Sequence, residues 1–329
     1  MAQKNVVTAI HDALHEEMAA DDRIVVLGED VGVRGGVFRI TQGFMEEFGP
    51  ARVIDTPLAE AGIVGVAIGM ALHGLLPIAE IEFADFIHPA FDQIVSEAAR
   101  IRYRSNNDFN VPLVIRAPWG GGIHGALYHS QSIEAFYGHV PGLKVVVPST
   151  PSDAVGMLRT AIRDPDPVLF LEHKKTYRAI TGDVLDEPYT VPIGVADVKR
   201  EGEDLTVVAY GFMMHTCLET ATRLQEDHGI SVEVVDARSI SPLDKQTILS
   251  SVRKTGKAMV VYEDNRTYGA GAEIVATIAE EAMFDLDGPI VRIGGPDIPA
   301  MPFATSLEHF YLEPEPDQLY RRMLDLARF

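Results

Sequence analysis

The sequence predicts an α/β protein made of two domains, each a mainly parallel sheet covered by helices. Three observations carry that expectation. Short β-branched runs alternate with longer stretches of helical period. The alternation is interrupted at Thr181–Gly194 and then restarts. A chain of 329 residues also exceeds what one hydrophobic core commonly organises. With 47% apolar and 23% charged residues it can bury a core and solvate a surface, which excludes a disordered chain.

The elements follow in order. "MAQKNVVTAIHDALHEEMAADD" reads as an amphipathic helix; it lacks the apolar centre of a signal peptide and carries acids that a transit peptide avoids. Strands are expected at "RIVVLGED", "RVIDTP", "LLPIAEIEF", "VPLVIRAP", "LKVVVPST" and "PVLFLEH". The clearest helices between them run over Ala61–His73 and Pro89–Arg104, the second with Phe91, Ile94, Val95, Ala98, Ala99 and Ile101 along one stripe. Thr181–Gly194 is rich in proline, glycine and acid and has no helical period. Beyond it come strand "LTVVAYG", a helix over Met213–His228, strand "SVEVVDA", a helix opened by Pro242, strand "KAMVVYED", helix "GAGAEIVATIAEEAMF", strand "PIVRIGG" and a terminal helix "PDQLYRRMLDLARF". The organisation expected is a first domain over residues 1–185, a linker over 186–200 and a smaller domain over 201–329.

Composition excludes several classes. One cysteine, Cys217, rules out a disulfide framework or a multi-cysteine metal site and fits a reducing cytoplasm. The apolar run from Ala61 to Phe83 is divided by Pro77 and interrupted by His73 and Glu80, so it reads as a buried helix and a strand, not a membrane span. A formal net charge of −20 argues against nucleic acid or an anionic membrane as partner. It suits a basic protein partner, though simple solubility is the first explanation of the charge alone.

Familiar motifs are incomplete. "YGAGAEI" has Ile274 where the dinucleotide fingerprint needs a glycine, and Gly120–Gly122 lacks the Lys-Ser/Thr of a phosphate loop. No Gly-x-Ser-x-Gly elbow exists. His124 and His129 in "HGALYHSQS" are a poor zinc pair, but imidazole on a glycine-rich loop after a strand is suited to proton transfer. The residues alone leave a structural and a catalytic role open. Glu60 in "DTPLAEAGIVG" is likewise open: it favours the dipole of the helix it begins, or its carboxyl at the mouth of an apolar helix holds a proton for a ligand nitrogen.

The segments "VVLGEDVG", "DTPLAEAGIVG", "EIEFADFIHPAFDQIVSEAARIRYRS", "APWGGGIHGALYHSQSIEAF" and "GPDIPAMPFA" resemble the beta subunit of the thiamine-diphosphate-dependent decarboxylating component of 2-oxoacid dehydrogenase complexes. The resemblance runs from Val6 to the C-terminal helix. It is most like the branched-chain enzyme, with pyruvate dehydrogenase as the alternative.

This resemblance implies a pyrimidine-binding parallel-sheet domain followed by a transketolase C-terminal-like domain. It implies that Glu60 hydrogen-bonds the aminopyrimidine of thiamine diphosphate and so activates the thiazolium carbon. Glu29, Leu58, Ala59 and Phe86 line the same pocket by resemblance, as does Glu82, which stands where relatives often carry glutamine. Phe83, Phe86, Ile87, His88 and Pro89 fall near the substrate. His129 matches a histidine that hands the acyl group to lipoamide, and His124 borders that channel. Asp164 in "AIRDPDP" resembles a residue that holds a structural potassium ion in some relatives.

Thiamine enzymes grip magnesium with Gly-Asp-Gly followed by asparagine, and this chain has only "TGDVLDEP". The implied diphosphate and magnesium ligands therefore belong to an alpha subunit, in an α2β2 heterotetramer. The other implied partner is the lipoyl acyltransferase core, through its basic subunit-binding domain. A chain that serves chiefly to dock that core is the second functional expectation.

Overall fold

The computed structural model describes residues 1–312 and 317–329. The chain divides into two compact units, residues 1–119 with 136–193, and residues 120–135 with 194–329.

In the first unit β1 (Ala2–Asn5) leads into α1 (Val6–Ala20), whose N-cap Asn5 accepts the Thr8 N–H at 2.8 Å. The strands β2 (Ile24–Gly28), β3 (Val53–Asp55), β4 (Leu76–Glu80), β5 (Val114–Trp119), β6 (Lys144–Val146) and β7 (Val168–His173) form a parallel sheet in the order β6-β7-β5-β4-β2-β3. β2, β5 and β7 are buried along their whole length, which is why they read without alternation, as apolar runs broken only by Arg116 in β5 and Glu172 and His173 in β7. Between them lie α2 (Phe44–Phe48), α3 (Glu60–Leu72), α4 (Ile101–Arg104), α5 (Glu134–Gly138) and α6 (Pro151–Arg163), followed by α7 (Thr176–Ala179). α6 begins on an N-cap Thr150 and Pro151 at N1, and it lies against α1 over a core of Ile10, Leu14, Leu158 and Ile162.

The helix expected over Pro89–Arg104 is not continuous. A 3-10 turn at His88–Ala90, a π-helix at Gln93–Ala98 and α4 replace it. The stripe splits accordingly: Ile94, Ala98, Ala99 and Ile101 are buried while Phe91 is 40% exposed. Proline suits a helix start, so the break lies beyond Pro89, where the Ala99 carbonyl presses so closely on Gly142 (φ +93°) that a Cβ there would lie 2.0 Å from it. The Ala99 N–H bonds back five residues to Ile94 at 3.0 Å.

Thr181–Gly194 also departs from expectation, because β8 (Thr181–Val184) pairs antiparallel with β1. A two-stranded ribbon open to solvent has no apolar period to betray it.

The second unit holds β9 (Asp197–Arg200), β10 (Leu205–Ala209), β11 (Val232–Asp236), β12 (Ser239–Ser241), β13 (Ala258–Asn265) and β14 (Val291–Gly295). Its sheet runs β14-β13-β10-β11-β9, parallel except for β9, a strand that falls within the stretch read as linker. Five helices accompany it: α8 (Phe212–His228), α9 (Lys245–Thr255), α10 (Gly271–Ala282), α11 (Thr305–Leu312) and α12 (Gln318–Ala327). The helix expected to open at Pro242 is instead capped by Asp244, whose carboxylate accepts the Thr247 N–H at 3.1 Å. A capping side chain two residues on supplies what the proline lacks, an acceptor for the free N–H groups. Pro316, where the terminal helix was expected to start, lies outside the described residues. Cys217 is buried in α8, and among the described residues no helix is long and apolar enough to cross a membrane.

Candidate active site

The parallel register aligns Gly28 of β2 with Asp55 of β3 and Glu80 of β4. Three carboxylates consequently leave the sheet at its C-terminal edge, where open α/β sheets bind ligands: Glu29 directly after β2, Glu60 as the first residue of α3, and Glu82 two residues past β4. All three are partly buried. They share one electrostatic neighbourhood. The Glu82 carboxyl is pushed from 4.5 up to about 7, first by desolvation and then by the charges of Glu29, Asp30, Glu80 and Glu60. Glu29 is raised too, by desolvation, Asp30 and Glu60, with Arg34 opposing.

Around this group the structure brings some of the expected residues together and separates others. Phe83 and Phe86 meet edge to face with ring centres 5.9 Å apart, and the ring of Phe38 lies 5.7 Å from that of Phe83. Leu58, 68% exposed, and Ala59 precede α3, which has no side-chain cap. Ile87 is fully buried. His88 is exposed with Pro89, its ring stacked 6.5 Å from that of Tyr137; desolvation lowers its proton affinity against the pull of Asp85.

Beside the carboxylates is a buried ion network. Arg116 of β5 donates to Glu80 at 2.6 Å and to both oxygens of Glu172 in β7, at 2.7 and 2.9 Å, while Tyr177 donates to Glu172 at 2.6 Å. Burial raises Glu80 and Arg116 lowers it, whereas the two carboxylates outweigh burial at Arg116 and keep its guanidinium charged.

The histidine loop belongs to the second unit. His124 (φ +58°) and Ala126 (φ +56°) both occupy the left-handed region, either side of Gly125. His129 follows a 3-10 turn at Ala126–Tyr128, and a Cβ on Gly125 would lie 2.7 Å from the His129 Cβ. The loop therefore needs glycine at 125 to hold His129 where it is. The Asp164 Oδ1 accepts from the Lys144 ammonium at 2.7 Å and from the Asp166 N–H at 2.9 Å. Among the described residues no group of three or more His, Cys, Asp or Glu is arranged to hold a metal ion.

Comparison with known proteins decides the family. Residues 2–180 match the pyrimidine binding domain of transketolase, and residues 194–317 its C-terminal domain. The chain is 55% identical over 329 residues, 100% of both chains, to the 2-oxoisovalerate dehydrogenase subunit beta of Bacillus subtilis (strain 168). This chain belongs to the family of 2-oxoacid dehydrogenase beta subunits. It is also 49% identical over 328 residues, 100% of both, to the pyruvate dehydrogenase E1 component subunit beta of Acholeplasma laidlawii, and 50% identical over 297 residues to that of Bacillus subtilis, covering 90% and 91% of the two chains. A solved split-gene transketolase, an inactive beta4 tetramer, shares its fold with a TM-score of 0.77 at 25% identity, covering 98% of each chain. As in others of this thiamine-dependent family, the beta subunit works with an alpha subunit.

The family resemblance did not point to Arg116, Glu172, Glu263 or Glu308. The first two had a signal in the sequence: single charges of opposite sign in the otherwise apolar strands "VLFLEH" and "VIRAPW". Glu263 and Glu308 had none, because the loop they contact is more than 130 residues away in the chain.

Proposed function

We propose that this chain is the beta subunit of a cytoplasmic branched-chain 2-oxoacid dehydrogenase. It decarboxylates acids of the 3-methyl-2-oxobutanoate type and passes the acyl group to lipoyl groups of an acyltransferase core. The observation that carries the reading is the cluster of Glu29, Glu60 and Glu82 at one sheet edge, with Glu29 and Glu82 more proton-retentive than ordinary carboxyls.

The donor set fits the pyrimidine half of thiamine diphosphate. A ring nitrogen that must keep a proton at neutral pH needs a carboxylate beside it, in a site poor in water and rich in negative charge. When bound, thiamine diphosphate supplies the carbanion chemistry of decarboxylation. Glu60 holds the proton at the ring nitrogen. Glu29 and Glu82 keep it there through their charge, and Phe86, Leu58 and Ala59 give the ring apolar contact. Phe83, His88 and Pro89 border the substrate side. His129 gives a proton to one sulfur of the lipoyl disulfide as that bond opens, and the other sulfur takes the acyl group, so the disulfide is the oxidant.

The diphosphate and its magnesium fall to the alpha subunit, because this chain offers no Gly-Asp-Gly ligand set. α3 presents an apolar, small-residue face for close approach by a partner: Val66 is 54% exposed, and Gly62, Gly65 and Gly69 lie open beside it. Cys217, buried and reduced, suits the cytoplasm.

The test is co-expression with the alpha-type chain and comparison of kcat/KM for 3-methyl-2-oxobutanoate and pyruvate. The branched acid should be preferred by at least about tenfold. An equal preference for pyruvate would return the assignment to pyruvate dehydrogenase, whose beta subunits are the other relatives.

A further inference from the structure

The loop over residues 120–135 gives up three backbone N–H groups to two carboxylates of the second unit. Glu263, at the end of β13, accepts the Gly121 N–H at 2.6 Å and the Ser132 hydroxyl at 3.2 Å through one oxygen. Glu308, on α11, accepts the Gly122 N–H at 2.9 Å and the His124 N–H at 3.2 Å through Oε1. Its other oxygen pairs with His124 Nδ1. Glu308 is 1% exposed, whereas the His124 side chain is half open to solvent. α11 is in turn fixed to the sheet, because Tyr311 donates to Asn265 at the end of β13 at 3.0 Å.

Three physical consequences follow. A non-glycine residue in the left-handed region is strained and persists only where its surroundings over-determine it, and hydrogen bonds to a charged acceptor are the strong kind. Glu308 supplies two of them, one at the strained His124 and one at Gly122, two residues before it. Next, an imidazole whose Nδ1 is committed to a buried carboxylate keeps Nε2 for any outside partner. Lastly, the turn set at His124 is transmitted to His129, since Gly125 leaves no room between them.

We propose that Glu308 is the positioning residue of the histidine loop: it fixes the left-handed turn at His124 and orients the His124 imidazole with Nε2 toward the incoming lipoyl arm. This rests on the reading that the loop receives that arm. The Glu308–His124 pair is then a carboxylate-buttressed imidazole beside His129. Glu308 touches no substrate; it acts through the loop.

The experiment uses the assembled α2β2 enzyme with Glu308→Ala, Glu308→Gln and, as a control on the underlying reading, His129→Ala. Three quantities are measured: amide hydrogen exchange of the peptide over Gly121–Leu127, kcat and KM for reductive acylation of isolated lipoyl domain, and decarboxylation with an artificial electron acceptor. Glu308→Ala should raise exchange and the lipoyl-domain KM by at least about tenfold, and lower the ratio of acylation to decarboxylation by a similar factor. In Glu308→Gln the carboxamide oxygen still accepts from Gly122 and His124, so exchange and KM should return to within about threefold of the parent. Its amide N–H cannot accept from Nδ1, so kcat for acylation should remain low.

Unchanged exchange in Glu308→Ala, complete rescue of kcat by Gln, or equal losses in both activity assays would overturn the proposal. If Ala does not fold, the split between KM and kcat in Gln decides alone. If His129→Ala acylates lipoyl domain normally, the lipoyl reading fails, while the exchange result still judges whether Glu308 holds the loop.

Discussion

Glu80 and Glu82 are two residues apart and live under opposite rules. Glu80 is buried and bound at 2.6 Å by Arg116, inside a network that also satisfies both oxygens of Glu172. Glu82 is partly open, and desolvation, reinforced by the neighbouring acids Glu29, Asp30, Glu80 and Glu60, pushes its carboxyl up to about 7. The first arrangement is self-sufficient, because both carboxylates bind one guanidinium within the chain. The second is incomplete in this chain by itself: repulsion among carboxylates is relieved by a proton or by a ligand that brings one. The difference separates charges that build the sheet from charges that await chemistry.

The largest effect is expected at Arg116. Arg116→Met leaves Glu80 and Glu172 buried without their cation, and denaturant unfolding of the assembled complex should show a loss of about 3–5 kcal/mol. A loss under about 1 kcal/mol would mean that the network is no more structural than the open cluster.

Glu82→Gln sharpens the same contrast with a smaller effect. A carboxyl raised from 4.5 to about 7 in the folded state binds a proton that the unfolded chain has released. Its favourable contribution is therefore complete below 4.5 and lost as pH rises through about 7. Removing it should stabilise the protein at about pH 8 by no more than about 1 kcal/mol after solvent screening, and leave it unchanged at about pH 4.5. Thermal melts at the two values check the sign; a Tm gain that is equal at both would place its origin outside this titration.

The sequence made the sheets legible wherever strands are buried on both faces, as in β2 and β7, since continuous apolar runs need no partner to be recognised. It assigned Glu60 and His129 by resemblance, through motifs contiguous in the chain. Glu29, Glu60 and Glu82 fall into one pocket by resemblance alone; the residues themselves do not show it, because their meeting depends on the register of β2, β3 and β4. Nor could it show Glu308 reaching Gly122 and His124 from the far end of the chain. β8 and the π-helix escaped for a related reason: an exposed ribbon and a locally widened turn follow from contacts with β1 and Gly142, not from any period of their own.

The most direct measurement is decarboxylation by the α2β2 enzyme carrying Glu60→Gln, with assembly checked by sedimentation. If Glu60 holds the proton on the cofactor ring, the rate should fall by about 10²–10⁴-fold while the complex still forms. An assembled variant that keeps more than about a tenth of the parent rate would contradict the role given to this carboxylate.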